Sequence, residues 1–452
     1  YLVLGIGAQM LKYRPNINSI KSIRLEAYQM STMNNLKICL FLSVLLLTAC
    51  SASNVSSQAS TSIDNGNSTS DVADVQSEHS RELSLVTSYL GPDSEASTED
   101  GFYQAIPNPQ GGTNIMYTDY ATQSTLYLCP DPNCLHNSDS CSSWFDSSSV
   151  QLFSVPSQMS LYAIVSSSDK SDLIKLSLDG LQRTTLYTCT GRESFQDAIV
   201  ADESNIYIAL SSVNSNTAIP TKQLIQLNVS TGNCKVLLDY EAQDWLFGAY
   251  SDNLLILYFK NDSFTYRSYS LSEGTLTDIY SYDYQDGSPN TIARPVDNFL
   301  YIFEPQESGS AKVICLNMET KSTADLNLSV PYFGTDATTI GSPFDDYLYV
   351  TTHDFNSSST VSYLINRITG EYSPITLSYM QGAISVGVEV IASTSEYYLV
   401  NTGITPVPIM LTSNDGSQYQ SEIDMVSYSL IKKDDYLSNT PAYIPITNQF
   451  TA

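Results

Sequence analysis

Four side chains able to bind a metal ion lie close together in the segment LCPDPNCLHNSDSC, residues 128–141. Cys129, Cys134, His136 and Cys141 follow the spacing C-x4-C-x-H-x4-C. Zinc takes four tetrahedral ligands, and three thiolates with one imidazole form a common structural set. The sequence therefore predicts a structural zinc site, although the order of these ligands matches no standard zinc knuckle.

A disulfide is the main alternative, because an exported protein can meet oxidising conditions. The chain has eight cysteines, of which Cys39 and Cys50 belong to an export signal described below. Three others fall in predicted strands, where a free cysteine behaves as a small buried hydrophobe: Cys189, Cys234 and Cys315. The loop then holds an odd number of cysteines beside a histidine, which favours a metal. A disulfide with one spare thiol, or neither arrangement, stays open.

Residues 33–50, MNNLKICLFLSVLLLTAC, have the pattern of an export signal. Lys37 precedes an apolar run over residues 38–47 that is too short to span a membrane, so we interpret residues 33–49 as a signal peptide. The ending LTAC resembles the lipobox of bacterial lipoproteins. That resemblance implies a diacylglycerol on Cys50, cleavage before it, and a location on the extracellular face of a bacterial cell membrane. An ordinary signal peptide with a chance cysteine is the alternative.

We expect the segments on either side of the signal peptide to lie outside the folded domain. Residues 1–32 do not begin with Met, and we interpret them as upstream sequence translated with the gene. Residues 50–82 are rich in Ser and Asn and poor in apolar residues, so they cannot bury enough surface to fold. We expect them to form a flexible tether between the lipid and a folded domain over residues 83–452.

The charge balance limits the partners of that domain. The chain has 20 basic and 47 acidic residues and a formal net charge of -27. Such a surface repels nucleic acid and anionic headgroups, which excludes a nucleic-acid partner and leaves the lipid as the only membrane contact. It suits cationic partners, divalent ions or neutral glycans.

A pattern recurs along the folded domain: a short turn, then an apolar–aromatic pair that opens a strand. The repeated position is spaced by 59, 45, 48, 46, 48 and 49 residues. It is occupied by Tyr103, Tyr162, Tyr207, Leu255, Tyr301, Tyr349 and Tyr398. Units of about 45 residues with four short strands are typical of β-propeller blades. The sequence predicts an all-β, seven-bladed propeller, with six or eight blades, or an irregular sandwich, as alternatives.

The connections between strands differ in length, and this indicates a working face. The loops between second and third strands are long at 211–223 and 403–422, whereas the other turns are short. The Cys/His segment is an insertion in a link between blades, which lies on the same face. Loops presented together on a rigid scaffold commonly carry function. We expect a glycan or protein ligand there, with Tyr332 and Phe333 as candidates for stacking on sugar rings.

The residues offer little support for catalysis. The three histidines are His79, His136 and His353, and the sequence has neither a G-x-S-x-G nucleophile setting nor a phosphate-binding glycine loop. A binding or sensing module for glycans or envelope partners is the favoured function. A structural component of an envelope complex and a carboxylate-dependent glycan-active enzyme are the alternatives.

Residues 114–145, NIMYTDYATQSTLYLCPDPNCLHNSDSCSSWF, resemble a segment of uncharacterised surface lipoproteins of gut Firmicutes. The matching residues are Leu128, Cys129, Pro132, Cys134, His136 and Cys141. The resemblance extends loosely over residues 101–450. It implies a lipid-anchored propeller and no particular activity.

Overall fold

The computed structural model describes most of the chain between Leu83 and Asn448. All described residues belong to one compact unit, Glu78–Ala452. The predicted signal peptide, Cys50, the tether and His79 lie outside them. The described ranges are 83–87, 95–108, 111–167, 170–191, 193–213, 220–241, 243–284, 291–306, 309–333, 338–341, 343–354, 359–382, 384–412 and 418–448.

Seven antiparallel, four-stranded sheets stand in a ring, which confirms the predicted seven-bladed β-propeller. A short strand, β1 (Ser84–Thr87), precedes the blades. Blade 1 comprises β2 (Glu95–Ser97), β3 (Gly101–Pro107), β4 (Thr113–Asp119) and β5 (Ser124–Tyr127), and β6 (Trp144–Phe145) also pairs with β4. Blade 2 comprises β7 (Ser149–Val155), β8 (Ser160–Ser166), β9 (Lys170–Leu176) and β10 (Arg183–Thr190).

The next three blades repeat this arrangement. Blade 3 comprises β11 (Ser194–Ala201), β12 (Asn205–Val213), β13 (Pro220–Asn228) and β14 (Cys234–Tyr240). Blade 4 comprises β15 (Asp244–Tyr250), β16 (Asn253–Lys260), β17 (Ser263–Ser270) and β18 (Leu276–Asp283). Blade 5 comprises β19 (Ile292–Val296), β20 (Phe299–Gln306), β21 (Ser310–Asn317) and β22 (Thr323–Pro331).

The last two blades close the ring. Blade 6 comprises β23 (Thr338–Ile340), β24 (Tyr347–Asp354), β25 (Ser359–Asn366) and β26 (Tyr372–Pro374), and a hairpin of β27 (Ser378–Gln381) and β28 (Ile384–Gly387) follows it. Blade 7 comprises β29 (Val390–Ser393), β30 (Tyr397–Thr412), β31 (Gln418–Lys432) and β32 (Ile444–Pro445), with helix α1 (Lys433–Leu437) before β32. The C-terminal β33 (Thr447–Asn448) pairs in parallel with β5, so that the end of the chain is joined to blade 1.

The repeated aromatic position lies in the second strand of every blade, as the spacing predicted, and each of the seven side chains is buried. A tyrosine suits this position because its ring packs between blades while its hydroxyl reaches a turn on one side of the ring. The Tyr207 hydroxyl donates at 2.7 Å to the carboxylate of Asp202, in the turn before its own strand. The Tyr398 hydroxyl donates at 2.6 Å to the carboxylate of Asp345, in the corresponding turn of blade 6. The repeat therefore encodes both the core and contacts to turns within and between blades.

The connections define two faces of the ring. We call the turn face the side on which first and second strands, and third and fourth strands, are joined; Asp202 and Asp345 lie there. We call the loop face the side on which second and third strands, and successive blades, are joined; the Asn261–Asp262 turn and the Cys/His segment lie there.

A strand outside the repeat lies along the inner edge of blade 3. β1 pairs antiparallel with β11, the first strand of that blade, and Ser84 is opposite Ala201 at the turn face. The Thr87 hydroxyl accepts the Ile199 amide at 2.9 Å. Leu85 packs on the core between blades 3 and 4, whereas Val86 packs on the core between blades 2 and 3. The chain therefore enters the ring at the turn face and lines its centre.

The longest predicted loop, residues 403–422, is mostly strand, so that part of the prediction was wrong. β30 and β31 continue to Thr412 and from Gln418, paired throughout. β29 covers β30 only as far as Val400, so the extension has an open edge. Pro406 and Pro408 lack amide hydrogens and are tolerated at such an edge, where they also discourage pairing with another chain. The prolines had obscured the strand pattern.

Candidate metal centre

The Cys/His segment connects β5 of blade 1 to β7 of blade 2, and it therefore lies on the loop face, as predicted. Cys129 follows the end of β5 by two residues. The chain returns to blade 1 before it continues to blade 2, because Trp144 and Phe145 form β6 against Asn114 and Thr113. Both ends of the segment are thus held by blade 1.

The four predicted ligand side chains lie together. One ligand atom from each of Cys129, Cys134, His136 and Cys141 falls within 4.8 Å of all the others. His136 Nδ1 lies 3.3 Å from Cys141 Sγ, and the His136 amide donates to Cys134 Sγ at 3.4 Å. Ligands around a zinc ion at bond lengths of about 2.3 Å are separated by roughly 3.8 Å. A small contraction of the cluster would close a tetrahedral shell.

Local turns bring the four side chains to one point. The Asp131 carboxylate accepts the Asn133 amide at 2.9 Å, and its carbonyl accepts the Cys134 amide at 3.2 Å, which folds the chain back towards Cys129. His136 has a φ of 53°, a left-handed conformation that is uncommon for a residue with a side chain. This conformation places its ring and its amide on the same group of sulfur atoms.

Blade 1 supplies the contacts that hold His136 in this conformation. The side-chain amide of Asn114, which is fully buried, donates to the His136 carbonyl at 3.0 Å and to Ser143 Oγ at 2.9 Å. The Asn108 side-chain amide donates to the same carbonyl at 3.2 Å. The Tyr127 ring stacks on the His136 ring at 3.9 Å between centroids. The backbone and the imidazole are therefore positioned before any ion is present.

Blade 2 also contacts the far end of the segment. Arg183 of β10 donates to the Trp144 carbonyl at 2.9 Å and to the Ser142 carbonyl, and its guanidinium lies 4.0 Å from the centre of the Phe145 ring. Cys141 itself is 2% exposed. Trp144 and Phe145 of β6, which are 7% and 5% exposed, add apolar contacts at this end of the segment.

The thiols of the cluster differ in how readily they lose a proton. Burial raises the pKa of Cys129, but the Asp131 amide and the neighbouring thiols outweigh it, and the net pKa is lowered. Burial raises the pKa of Cys134 to about 11, despite the hydrogen bond from the His136 amide. Burial lowers the pKa of His136, against the charge of Asp131, which favours the neutral imidazole that binds metals. A bound divalent cation would lower the pKa of all these thiols, so that they lose their protons together.

The other sequence candidates lie elsewhere. Tyr332 is 2% exposed and packs in the core between blades 5 and 6, so its predicted stacking on sugars is wrong, whereas Phe333 is 40% exposed. His353 Nδ1 lies 2.9 Å from Thr360 Oγ1 in the blade 6 hairpin. Cys189 and Cys315 are buried as predicted, but Cys234 is exposed because it opens the outer strand of blade 3.

Two features escaped the sequence reasoning. An aromatic group on blade 4 is formed by Phe259, Phe264, Tyr282 and Tyr284. Its signal in the sequence was the density of aromatic residues at strand ends. The second feature is Glu389, which precedes β29 and whose pKa burial raises to about 7, with a smaller effect from Glu95. No pattern in the sequence marks it.

The fold and the cluster define the class: a seven-bladed β-propeller with a Cys3His group on its loop face. No known family model matches the chain, and no curated protein is significantly similar to it. In the part of the chain that the structure describes, no helix is long and apolar enough to cross a membrane.

Several solved propeller-containing structures are distantly similar. Puromycin hydrolase aligns with a TM-score of 0.40 and 11% identity, over 75% of this chain and 58% of that one. An oligogalacturonate lyase in complex with manganese gives 0.41 and 12%, over 65% and 78%. TolB from Acinetobacter baumannii gives 0.32 and 12%, over 72% and 79%. The chain thus spans less than two thirds of puromycin hydrolase, and likenesses this distant carry no argument about activity.

Proposed function

We propose that the protein is a lipid-anchored β-propeller on the outer face of a bacterial membrane, where it acts as a binding module. The observation that carries the proposal is the Cys3His group on the loop face. Its four protein ligands would fill the tetrahedral shell of a zinc ion and leave no position for a catalytic water. An ion held in this way would serve structure, and it would stabilise a loop on the face that presents ligands.

The direction of β1 supports this assignment of faces. The first residue of β1 lies at the turn face, so a tether joined to Leu83 connects to the propeller on that side. A module attached at its turn face is suited to present its loop face to a partner at the cell surface.

The residues around the cluster fit zinc. Neutral imidazole and thiolate are the ligands that zinc prefers, and the described positions bring three sulfur atoms and one nitrogen together. Binding would be pH-dependent, because the thiols must lose their protons to bind the ion. The bound ion would cross-link the two turns of the segment, and its charge would be balanced by the thiolates that bind it.

The anchor is tested by substitution at Cys50. The chain from Met33, expressed in a bacterial host supplied with labelled palmitate, should incorporate the label, because the lipid on Cys50 carries acyl chains that give stable membrane attachment. The Cys50→Ser chain should incorporate none, and the Cys234→Ser chain, altered at an exposed cysteine of blade 3, should behave as the wild type. Equal incorporation by the Cys50→Ser chain and the wild type would refute the anchor.

The binding role is tested with purified bacterial envelopes and the chain from Ser51 onwards, which lacks the predicted signal peptide and the anchoring cysteine. We expect saturable co-sedimentation that competes with unlabelled protein. Sedimentation no greater than that of serum albumin, or sedimentation that never saturates, would contradict a binding function.

A further inference from the structure

Four half-buried aromatic side chains lie side by side at the loop-face end of blade 4, on a different blade from the Cys/His segment. Phe259 is opposite Phe264 across β16 and β17, and Phe264 is opposite Tyr282 across β17 and β18. Tyr284, two residues beyond Tyr282, is on the same side of the sheet because side chains alternate along a strand. We call these four residues the aromatic platform.

Three of the rings form a row, and the fourth ring is nearly perpendicular to two of them. The Phe259 and Phe264 centroids are 4.6 Å apart with an interplanar angle of 41°, and the Phe264 and Tyr282 rings stack at 5.4 Å and 28°. The Tyr284 ring stands at 87° to both phenylalanine rings, at 6.2 and 5.9 Å. The Tyr284 ring therefore stands beside the two phenylalanine rings, where it would contact the edge of a flat ligand stacked on them.

The platform is rigid. Asn261 and Asp262 form a two-residue turn with φ values of 53° and 58°, the conformation that matches the twist of a tight hairpin. The Tyr284 amide donates to the Asp262 carbonyl at 2.7 Å. Phe264 and Tyr282 rest on the buried core between blades 4 and 5. Side chains already held in place lose little entropy when a ligand binds.

Carboxylates lie near the platform. Asp262, in the turn between Phe259 and Phe264, is exposed. Burial and, to a smaller extent, the charge of Glu304 on blade 5 raise the pKa of Tyr280, whose ring centroid lies 6.0 Å from that of Tyr282. The chain as a whole carries a net charge of -27, so an anionic ligand would be repelled. Carboxylates accept hydrogen bonds from hydroxyl groups, and the negative face of an aromatic ring attracts weakly positive C–H groups.

A pyranose ring has the complementary surface, with C–H groups on one face and hydroxyls at its edge. We propose that the aromatic platform binds neutral sugar residues of a glycan, with the sugar stacked on the Phe264–Tyr282 row and its hydroxyls directed to the neighbouring carboxylates. This inference rests on the proposed binding function and names the ligand class.

The test uses affinity electrophoresis of the chain from Ser51 onwards through gels that contain mannan, β-glucan or arabinoxylan, with polygalacturonate as an anionic counterpart. At least one neutral polysaccharide should retard the protein. In a Phe259→Ala/Tyr284→Ala background, the affinity should fall at least about tenfold, as for central aromatic contacts. The matched control is Tyr372→Ala, which removes a ring that is 44% exposed on blade 6 and should leave retardation unchanged.

The double variant could fail to fold, so the single variant Tyr284→Ala is measured as well, because Tyr284 follows the last strand of the blade. It should lose at least half of the retardation. Equal retardation of the platform variants and the wild type, stronger retardation by polygalacturonate, or no retardation by any neutral polysaccharide would overturn the inference. If platform variants still bind envelopes saturably with unchanged affinity, the platform assignment fails while the binding function stands.

Discussion

Asn114→Ala is the perturbation that separates a metal site built by the fold from an accidental cluster of cysteines. Asn114 is no ligand, but its buried side chain joins the two halves of the Cys/His segment. Its amide holds the His136 carbonyl at 3.0 Å and Ser143 Oγ at 2.9 Å, and its oxygen accepts the Asn108 amide at 2.8 Å. Alanine would remove all three contacts and leave every ligand in place.

The expected loss follows from these contacts. Each hydrogen bond contributes about 1 kcal/mol, and a buried partner left unpaired costs about 1–3 kcal/mol. His136 adopts a left-handed conformation, with a φ of 53°. That conformation costs roughly 1–2 kcal/mol, so without Asn114 the residue should relax away from the sulfur atoms. Loss of a contact that orients a metal ligand commonly lowers metal affinity 10- to 100-fold, and we expect an effect of about this size for zinc.

The assay is competition for zinc between the protein and a chromophoric chelator at constant pH under reducing conditions. The matched control is Asn133→Ala, which alters an exposed side chain in the same loop and should leave the affinity unchanged. Zinc affinities of the two variants within twofold of each other would refute the view that blade 1 positions His136. A global loss of fold would show as a lowered melting temperature in the metal-free protein and is measured in parallel.

Two further predictions concern stability. Lys222 Nζ lies 2.8 Å from the Asp197 carboxylate, with side chains 9% and 4% exposed, so Lys222→Ala should cost about 3–5 kcal/mol because it leaves a buried charge unpaired. Lys260→Ala, which breaks an exposed pair, should cost less than about 1 kcal/mol, and equal urea midpoints for these variants would contradict this account. Burial raises the pKa of Glu389 from 4.5 to about 7, so the folded protein holds this proton more tightly than the unfolded chain, and stability should fall as the pH rises from 4.5 through 7. Between pH 5 and pH 8, Glu389→Gln should reduce the fall in the free energy of unfolding by about 1–3 kcal/mol. Glu273→Gln, at an exposed carboxylate, should leave it unchanged. If the free energy of unfolding depended on pH in the same way for the wild type and Glu389→Gln, the raised pKa would be refuted.

The repeat was predictable because its signal is local. A short turn followed by an apolar–aromatic pair marks the start of each second strand, where the repeated side chain is buried. At Tyr207, whose hydroxyl donates to Asp202 of the preceding turn, packing and hydrogen bonding mark the same position. The spacing of such positions then indicates both the number of blades and the location of the Cys/His segment.

The remaining features depend on contacts between distant parts of the chain. β1 is four residues long and is stabilised by the inner edge of blade 3, more than 100 residues away. The anchoring of His136 by Asn114 and the pairing of β6 with β4 are likewise invisible in the local pattern. Cys234 lies in a predicted strand, yet its exposure follows from the outer position of that strand in its blade.

The zinc content of the purified protein tests the central structural claim most directly. Wild type, Cys134→Ser and Cys234→Ser are purified anaerobically with zinc in the growth medium, and metal per chain is measured by plasma mass spectrometry. The wild type and Cys234→Ser should each carry about one zinc ion, and Cys134→Ser should carry little, because three ligands do not complete the shell. Equal zinc in all three proteins, or a wild type without zinc, would contradict the proposed centre.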